Sequence, residues 1–231
     1  MEKDAEELRK DANIILIGAQ GSGKSTQAEK LSLALGMCRV SSGDLLREEV
    51  DEQTSLGFKA KAYLEKGALV PDEILGAMVL ERITQQDCLP GILLDGFPRT
   101  LAQARTLDRH LQRLGRSIDR AIYLEVPRAE LLRRLSGRYL CRANQHIYNM
   151  YTSPPKKPGI CDIDGSELYQ RADDKGESVQ KRLEIFFQET LPLLNYYRKQ
   201  QKLVTINGYQ DIDQVYMDVM HAIRDAFRTG G

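Results

Sequence analysis

A glycine-rich segment near the start of the chain has the residue types and the spacing that bind a nucleotide phosphate. Gly18, Gly23, Lys24 and Ser25 match the pattern G-x-x-x-x-G-K-[ST]. Glycines permit positive φ and bring backbone N–H groups close to a phosphate. The lysine adds a charge for the β- and γ-phosphates, and the serine hydroxyl can bind Mg²⁺. We therefore interpret this segment as a nucleotide-phosphate site rather than as an ordinary strand-to-helix turn.

The residues on either side predict the two elements that must position such a loop. Residues 14–17 form an apolar, mostly β-branched run, which is typical of a buried parallel strand. After the loop, Ala28, Leu31, Ala34 and Leu35 recur at helical spacing. A helix starting at the loop would point its positive N-terminal end at the bound anion.

An acidic residue follows another predicted apolar strand. Residues 92–94 are Ile-Leu-Leu, and Asp95 comes directly after them. Ligands of open parallel α/β sheets bind at the carboxyl ends of the strands. An acid in this place commonly holds Mg²⁺ in phosphate-loop enzymes, and we expect Asp95 to do so through water.

The rest of the chain alternates predicted strands with predicted helices. Strands are expected near residues 37–40, 121–126 and 203–206, and helices near 56–66, 101–114, 179–194 and 212–227. This order predicts an α/β fold: a parallel sheet of about five strands with helices on both faces. Residues 137–174 interrupt it with a polar stretch rich in Tyr, Pro and Gly, and such a long interruption is often an active-site lid.

Composition excludes several function classes. Lys+Arg and Asp+Glu are both 33 in 231 residues, a balance that argues against a general nucleic-acid or anionic-membrane binder. Residues 1–11 are polar and lack the apolar core of a signal peptide, so we expect a cytoplasmic protein that does not associate with membranes. Its four cysteines are then not expected to form disulfides, and Cys38 and Cys88 are interpreted as small core residues.

From Asn13 onward the sequence resembles the adenylate kinases with a long lid. The segments that carry the resemblance are the phosphate loop (18–26), Ser-Gly-Asp-Leu-Leu-Arg (42–47), Leu-Asp-Gly-Phe-Pro-Arg-Thr (94–100), Gly137-Arg138 and Arg-Ala-Asp-Asp (171–174). The resemblance implies reversible, Mg²⁺-dependent transfer of the ATP γ-phosphoryl to AMP, giving two ADP. It also implies a core (11–40, 71–136 and 175–231), an AMP-binding insertion (41–70) and a lid (137–174).

The resemblance also assigns roles to individual residues. The ATP phosphates and base would be held by Gly21, Ser22, Gly23, Lys24, Ser25, Thr26, Arg134, Arg138 and Gln210. AMP would be held by Ser42, Arg47, Gly96, Arg99, Gln103, Arg171 and Arg182. The charges expected to act in catalysis are Lys24, Arg99, Arg138, Arg171 and Arg182, and Asp173 and Asp174 would tie the closing lid to the site. Phosphoryl transfer suits such a set, because its catalysis is mostly positioning and charge neutralisation.

Two departures leave alternatives open. Ser42 stands where many relatives have threonine, and relatives that prefer GTP as donor also carry serine there. GTP:AMP phosphotransfer, or phosphorylation of another nucleoside monophosphate, therefore remains an alternative. A module that senses ATP and AMP without turnover is a further alternative, although no expected arginine or lysine is missing. No long apolar interface stripe is evident, so we expect a monomer.

The lid also has an incomplete metal pattern. Cys141, Asn144, Cys161 and Asp164 have the spacing of the family's zinc-binding lids, in which the second position is normally cysteine. Three ligands remain, namely Cys141, Cys161 and Asp164, and zinc sites usually have four. His146 is an open alternative as the fourth ligand. We expect a lid without tightly held zinc, in which these side chains form hydrogen bonds.

Overall fold

The computed structural model describes residues 12–65, 70–171, 174 and 177–228. Residues 1–11 and 66, about which the sequence makes predictions, lie outside the described residues. The strands are β1 (Asn13–Ile17), β2 (Cys38–Ser41), β3 (Ile92–Asp95), β4 (Arg120–Glu125), β5 (Arg138–Cys141), β6 (Ile147–Asn149), β7 (Leu168–Tyr169) and β8 (Leu203–Asn207). The α-helices are α1 (Lys24–Leu35), α2 (Ser42–Asp51), α3 (Ser55–Glu65), α4 (Asp72–Arg82), α5 (Leu101–Arg113), α6 (Arg128–Ser136), α7 (Glu177–Ile185), α8 (Leu193–Lys199) and α9 (Ile212–Arg228).

Five strands form a parallel sheet in the order β2-β3-β1-β4-β8. Every residue of β1 is buried, which explains its continuous apolar sequence. Ile15 and Ile17 pack into the core on one face of the sheet, while Ile14 and Leu16 pack into the core on the other. The predicted α/β fold with helices on both faces is confirmed.

The carboxyl end of β1 lies where the strand order reverses. β3 pairs with β1 on one side and β4 pairs with it on the other, so the connections leave in opposite directions. Such a switch point opens a crevice in which α/β proteins bind ligands. The glycine-rich segment follows β1 at this point.

The long polar interruption contains a second, smaller sheet. β5 pairs antiparallel with β6 and with β7. A small core of Cys141, Tyr148, Cys161 and Leu168 lies against this sheet. This lid sheet, as we call β5–β7 with its loops, accounts for the missing helical periodicity in the sequence.

Helices α2 and α3 form a hairpin that depends on one glycine. An added Cβ at Gly57 would lie 2.0 Å from the Glu49 carbonyl oxygen, so only glycine allows the two helices to approach this closely. Thr54 accepts a hydrogen bond from the Gly57 N–H at 2.9 Å and caps the start of α3.

Two predictions about local structure require correction. Cys38 and Cys88 form a disulfide, with their Cα atoms 4.9 Å apart, rather than remaining reduced. Pairing of β2 with β3 opposes Cys38 to Ile92, and the preceding 3₁₀ turn (Gln86–Cys88) brings Cys88 alongside, a proximity that a separation of 50 residues conceals. The long helix predicted over 179–194 is divided by a π-helical turn at Phe186–Thr190. Pro192, which lacks an N–H and follows this turn, accounts for the break between α7 and α8.

Candidate functional site

The phosphate loop has the backbone geometry that anion binding requires. Gly21 and Gly23 adopt φ of +83° and +94°, a region that side chains disfavour. The Ser22 N–H donates to the Ala19 carbonyl at 3.1 Å and closes the turn. Helix α1 begins at Lys24, so its first N–H groups face the loop. Within the part of the chain that the structure describes, the buried Ser22 Oγ has no hydrogen-bond partner, as expected of a group that awaits a ligand.

Lys24 lies among converging charges. Its Nζ donates to the Ala19 carbonyl at 3.1 Å. Burial lowers the pKa of Lys24 from its ordinary 10.5 to about 8; Asp95 opposes the shift, and the positive charges of Arg99, Arg138 and Arg182 add to it. These residues come from the loop, the end of β3 and three distant parts of the chain. Their convergence on one lysine creates a site for a strongly negative ligand.

Asp95 supplies a buried carboxylate beside this lysine. It is 3% exposed, at the carboxyl end of β3. Arg39 of the edge strand β2 lies next to it, with 3.5 Å between Arg39 Nη2 and Asp95 Oδ2. An oxygen ligand of this kind suits Mg²⁺, which retains several waters and takes few protein ligands. Asp95, the residue predicted to hold Mg²⁺, therefore lies in the crevice next to the phosphate loop.

The segment after Asp95 builds a second half-site. Gly96 has φ of +80°, and an added Cβ would lie 2.7 Å from Ser42 Oγ. Ser42, fully buried, donates to the Gly96 carbonyl at 2.8 Å, and Arg99 Nε donates to the same carbonyl at 2.7 Å. Ser41, rather than Ser42, caps α2 by accepting from the Asp44 N–H at 3.2 Å.

Gln103 is brought to this half-site by a partner that the sequence does not reveal. Its Nε2 donates to Asp72 Oδ1 at 2.6 Å, and its Oε1 accepts from the Arg99 N–H at 2.6 Å. Thr100, which caps α5, also donates to Asp72, at 2.7 Å. Asp72 thus fixes the start of α5 against α4. Asp72 is the first residue of α4, and no motif in the sequence predicts that it contacts the site.

A buried aspartate holds two of the predicted arginines. Asp174 is 2% exposed; Arg138 contacts both of its carboxylate oxygens, with Nε 2.7 Å from Oδ2, and Arg182 Nη1 lies 3.2 Å from Oδ1. Arg171 Nη2 lies 3.5 Å from Gln145 Oε1 of the lid sheet. Asp173, predicted to act with Asp174, lies outside the described residues.

Two further predicted donor-site residues have local partners. Arg134 Nε donates to Glu130 Oε1 at 2.9 Å, one turn earlier on α6, and Glu130 is only 8% exposed. Gln210 Nε2 donates to the Asn207 carbonyl at 2.8 Å and to Asp218 Oδ2 at 2.9 Å. Glu130 was missed by the sequence analysis, although its i, i+4 spacing to Arg134 is a signal that could have found it.

The lid cysteines lie in a compact cluster with a histidine and an acid. The ligand atoms of Cys141, His146, Cys161 and Asp164 all lie within 4.8 Å of one another. His146 Nδ1 is 3.3 Å from Cys161 Sγ and 3.3 Å from Asp164 Oδ2, and Cys141 Sγ is 3.0 Å from Asp164 Oδ2. We call these four residues the lid cluster. Asn144 is beside it, donating to Asp164 Oδ2 at 2.8 Å.

The environment of the lid cluster favours the deprotonated, negatively charged forms of its side chains. Hydrogen bonds from Ser166, then Cys141 and Asn144, hold the pKa of Asp164 well below its ordinary value. Burial raises the pKa of the Cys161 thiol, but hydrogen bonds from Tyr148, backbone groups and His146 outweigh it and leave the pKa lowered. Metal ligands must be deprotonated, so both directions suit a cation.

Across the described segments, every helix falls short of the length and apolarity that a membrane span requires.

Comparison with known proteins gives one consistent result. The family model described as adenylate kinase matches residues 16–202. The adenylate kinase of Caldicellulosiruptor saccharolyticus is 49% identical over 210 residues, covering 91% of this chain and 98% of the relative. That of Bacillus subtilis is 48% identical over 90% of this chain and 95% of its own length, and that of Methanocella arvoryzae is 46% identical over 91% and 97%.

Proposed function

The chain belongs to the adenylate kinase family, and on that premise we propose which of its residues bind the two nucleotides and how they neutralise the transferred phosphoryl group. The chain is an enzyme that transfers a phosphoryl group between ATP and AMP. Relatives at this level of identity, all named adenylate kinase, give no support to another monophosphate acceptor, to GTP as the donor or to a module without turnover.

The donor would bind at the switch point of the sheet. The loop residues Gly21, Ser22, Gly23, Ser25 and Thr26 surround the start of α1, where backbone N–H groups and the helix dipole favour the ATP phosphates. Lys24 would contact the β- and γ-phosphates, and Arg134 and Gln210 would flank the base. When bound beside Asp95, Mg²⁺ would neutralise charge on the phosphates and orient them.

The acceptor would bind on the other side of Lys24. Arg47 and Arg99 would contact the AMP phosphate, since a guanidinium group forms paired hydrogen bonds with phosphate oxygens. Ser42, Gly96 and Gln103 would line the base pocket. Both polar atoms of Gln103 already have partners, which suggests that it shapes this pocket as well as contacting the base.

Asp174 would exchange partners during the reaction cycle. In the described structure it pairs with Arg138 and Arg182, and both guanidinium groups lie near Lys24. When the phosphates arrive, Arg138, Arg171 and Arg182 would turn toward the transferring group, and Asp173 and Asp174 would remain to hold the lid. Catalysis would then come from positioning and charge neutralisation alone.

The observation that carries this proposal is the convergence of Asp95, Arg99, Arg138 and Arg182 on Lys24. The test is a phosphoryl-transfer assay over a matrix of donors (ATP, GTP) and acceptors (AMP, UMP, CMP), in the presence and absence of Mg²⁺. We expect the highest kcat/KM for ATP with AMP and a requirement for the metal. A higher kcat/KM with another pair would contradict the proposed base pockets.

We further propose that the lid binds zinc. The zinc pattern in the sequence contains three ligands, and His146 would supply the fourth. Tetrahedral zinc with bonds of 2.0–2.3 Å would separate its ligand atoms by about 3.3–3.8 Å. Three of the six distances between ligand atoms in the lid cluster are 3.0–3.3 Å and need only a small expansion, and all six lie within 4.8 Å. Zinc would replace the hydrogen bonds between these side chains and hold the lid sheet together.

Elemental analysis of protein purified without chelator tests the zinc proposal. We expect about one zinc per chain, and a cobalt-substituted sample should show a thiolate-to-cobalt charge-transfer band. His146→Ala should lower zinc affinity at least about tenfold, while His221→Ala, which alters an exposed histidine far from the lid cysteines in sequence, should not. A metal-free protein that takes up no zinc would overturn the proposal.

We also propose that the protein is a cytoplasmic monomer. The location is supported by the nature of its substrates, which are metabolites of the cell interior. Size-exclusion chromatography with light scattering at several protein concentrations tests whether the protein is a monomer.

A further inference from the structure

A chain of ion pairs runs along the acceptor side of the sheet. Arg39 Nη2 lies 3.1 Å from Asp44 Oδ2 and 3.5 Å from Asp95 Oδ2. Arg47, one helical turn after Asp44, contacts the other carboxylate oxygen, Oδ1. Asp44 is therefore shared by two guanidinium groups, each of which occupies one of its oxygens.

The backbone fixes three of these four groups. In the parallel pairing of β2 with β3, Arg39 lies opposite Leu93 and Ser41 lies opposite Asp95, so Arg39 and Asp95 belong to the same face of the sheet. Ser41 caps α2 through the Asp44 N–H, which sets Asp44 above that face. Arg47 is held at its side-chain end by Asp44, and a rotation of that side chain releases it.

Arg39 is not placed there for stability alone. Its side chain is 27% exposed, and among the described residues its buried Nε has no hydrogen-bond partner. An unsatisfied buried donor costs stability, so the position is tolerated rather than favoured for packing. What the side chain does contact is the carboxylates of Asp44 and Asp95.

The electrostatics of Asp44 agree with this sharing. Partial burial raises the pKa of Asp44, but the charges of Arg47 and Arg39 and the Ser41 hydrogen bond outweigh it and leave the pKa lowered. The carboxylate therefore stays ionised and attracts both arginines. An ionised Asp44 with Arg47 as its only partner would retain that arginine against an incoming phosphate.

We propose that Arg39 is a positioning residue for the acceptor: by keeping Asp44 paired, it releases Arg47 to bind the AMP phosphate. The inference rests on the proposed role of Arg47 in AMP binding. When Arg47 turns to the phosphate, Asp44 keeps Arg39 as its partner, so no carboxylate is left unpaired beside the bound dianion. Without Arg39, Asp44 would compete with AMP for Arg47.

Calorimetric titration of AMP into four forms of the full chain tests this: the unmodified protein, Arg39→Gln, Asp44→Asn and the double variant. An exposed ion pair is worth at most about 1 kcal/mol, so Arg39→Gln should weaken AMP binding about two- to fivefold. In the Asp44→Asn background the same change should have no effect, because no carboxylate competes for Arg47. Arg113→Gln, which removes an exposed charge at the end of α5, is the matched control and should bind AMP normally.

Two readouts separate positioning from a general structural role. Arg39→Gln should raise KM for AMP by a larger factor than it lowers kcat, and Arg39→Lys should recover part of the loss. If Asp44→Asn proves unstable by circular dichroism, Asp44→Ser, which keeps a small polar residue in the first turn of α2, takes its place.

The possible failures are distinguishable. An equal loss from Arg39→Gln in both backgrounds would mean that Arg39 acts only through the overall positive potential, and it would overturn the inference. An unchanged Kd in Arg39→Gln would overturn it as well. If Arg47→Ala itself left AMP binding unchanged, the proposed acceptor site would be wrong, and the inference would fall with it.

Discussion

The phosphate loop and the lid cluster are assembled by opposite routes. The loop is a continuous segment whose glycines and helix start form the proposed phosphate site within a few residues. The lid cluster gathers side chains that are up to 23 residues apart, from the end of β5 and from the loops before β6 and β7. One site is contained in a local motif, and the other exists only after tertiary folding.

This difference determines how each site tolerates change. In the phosphate loop each position requires one particular backbone conformation, so we expect a substitution there to remove that position's contribution to phosphate binding. In the lid, Asn144 and His146 lie on the same turn, and either position can present a side chain to Asp164. In the lid cluster the fourth ligand could therefore move from one of these positions to the other, and the number of ligands would stay the same.

The largest effect is expected for Lys24→Met. The substitution removes the lysine charge that would neutralise the transferred phosphoryl group, and this loss should lower kcat by about a thousandfold or more. The folded protein should not lose stability, because burial disfavours the charged lysine and its removal relieves up to about 3 kcal/mol. Single-turnover kinetics and thermal unfolding measure the two effects. Near-normal turnover in a folded variant would contradict the site.

Arg99 and Arg138 should separate the two substrates. Arg99→Ala is expected to weaken AMP by about 10- to 100-fold, since charge-assisted hydrogen bonds to phosphate are lost. Arg138→Ala should mainly lower kcat and the use of ATP, and it should also leave Asp174 with one fewer partner. Steady-state constants for both substrates decide this; the same pattern in both variants would show that the residue-by-residue assignment is wrong.

The same contrast explains what the sequence could predict. The parallel sheet and the helix that starts at the phosphate loop follow from local patterns, and the structure shows both. Asp72, Arg39 and the Cys38–Cys88 disulfide depend on which strands and helices become neighbours, and one sequence does not reveal that. Glu130 lies between these cases, because its partner is on its own helix.

The exchange of ligand positions in the lid can be tested directly. Asn144→Cys should strengthen zinc binding, and in a His146→Ala background it should restore the affinity that the alanine removes, about tenfold or more. The double variant thus moves the fourth ligand from position 146 to position 144. Competition with a chromophoric chelator measures both affinities. Failure of the cysteine to rescue His146→Ala would show that the lid cluster is as restricted in its positions as the phosphate loop.

The protonation of Lys24 should be visible in the pH dependence of activity. With a pKa of about 8 before nucleotide binds, kcat/KM for ATP should fall about tenfold per unit above that pH, while phosphate groups, with a second pKa of about 6, are already ionised. Stability should move the other way. Between about pH 8 and pH 10.5 the unfolded chain binds more protons at this lysine than the folded chain does. The free energy of unfolding therefore increases with pH in this range. A flat kcat/KM profile to pH 9.5 would contradict the burial of this charge.

The smallest effect is expected at Glu130, whose buried carboxylate holds Arg134 and lies 3.3 Å from Arg133. On α6 these residues are i, i+3 and i+4 neighbours, so Glu130 orients Arg134 through local geometry, as the phosphate loop orients its own groups. Glu130→Gln keeps the shape but removes the charge, and it should raise KM for ATP two- to fivefold, about 1 kcal/mol or less, with KM for AMP unchanged. Glu184→Gln, which weakens a 3.8 Å surface pair with Arg128, is the matched control and should alter neither constant. Equal changes in the constants of both substrates would mean that Glu130 supports the packing of α6 rather than the position of Arg134.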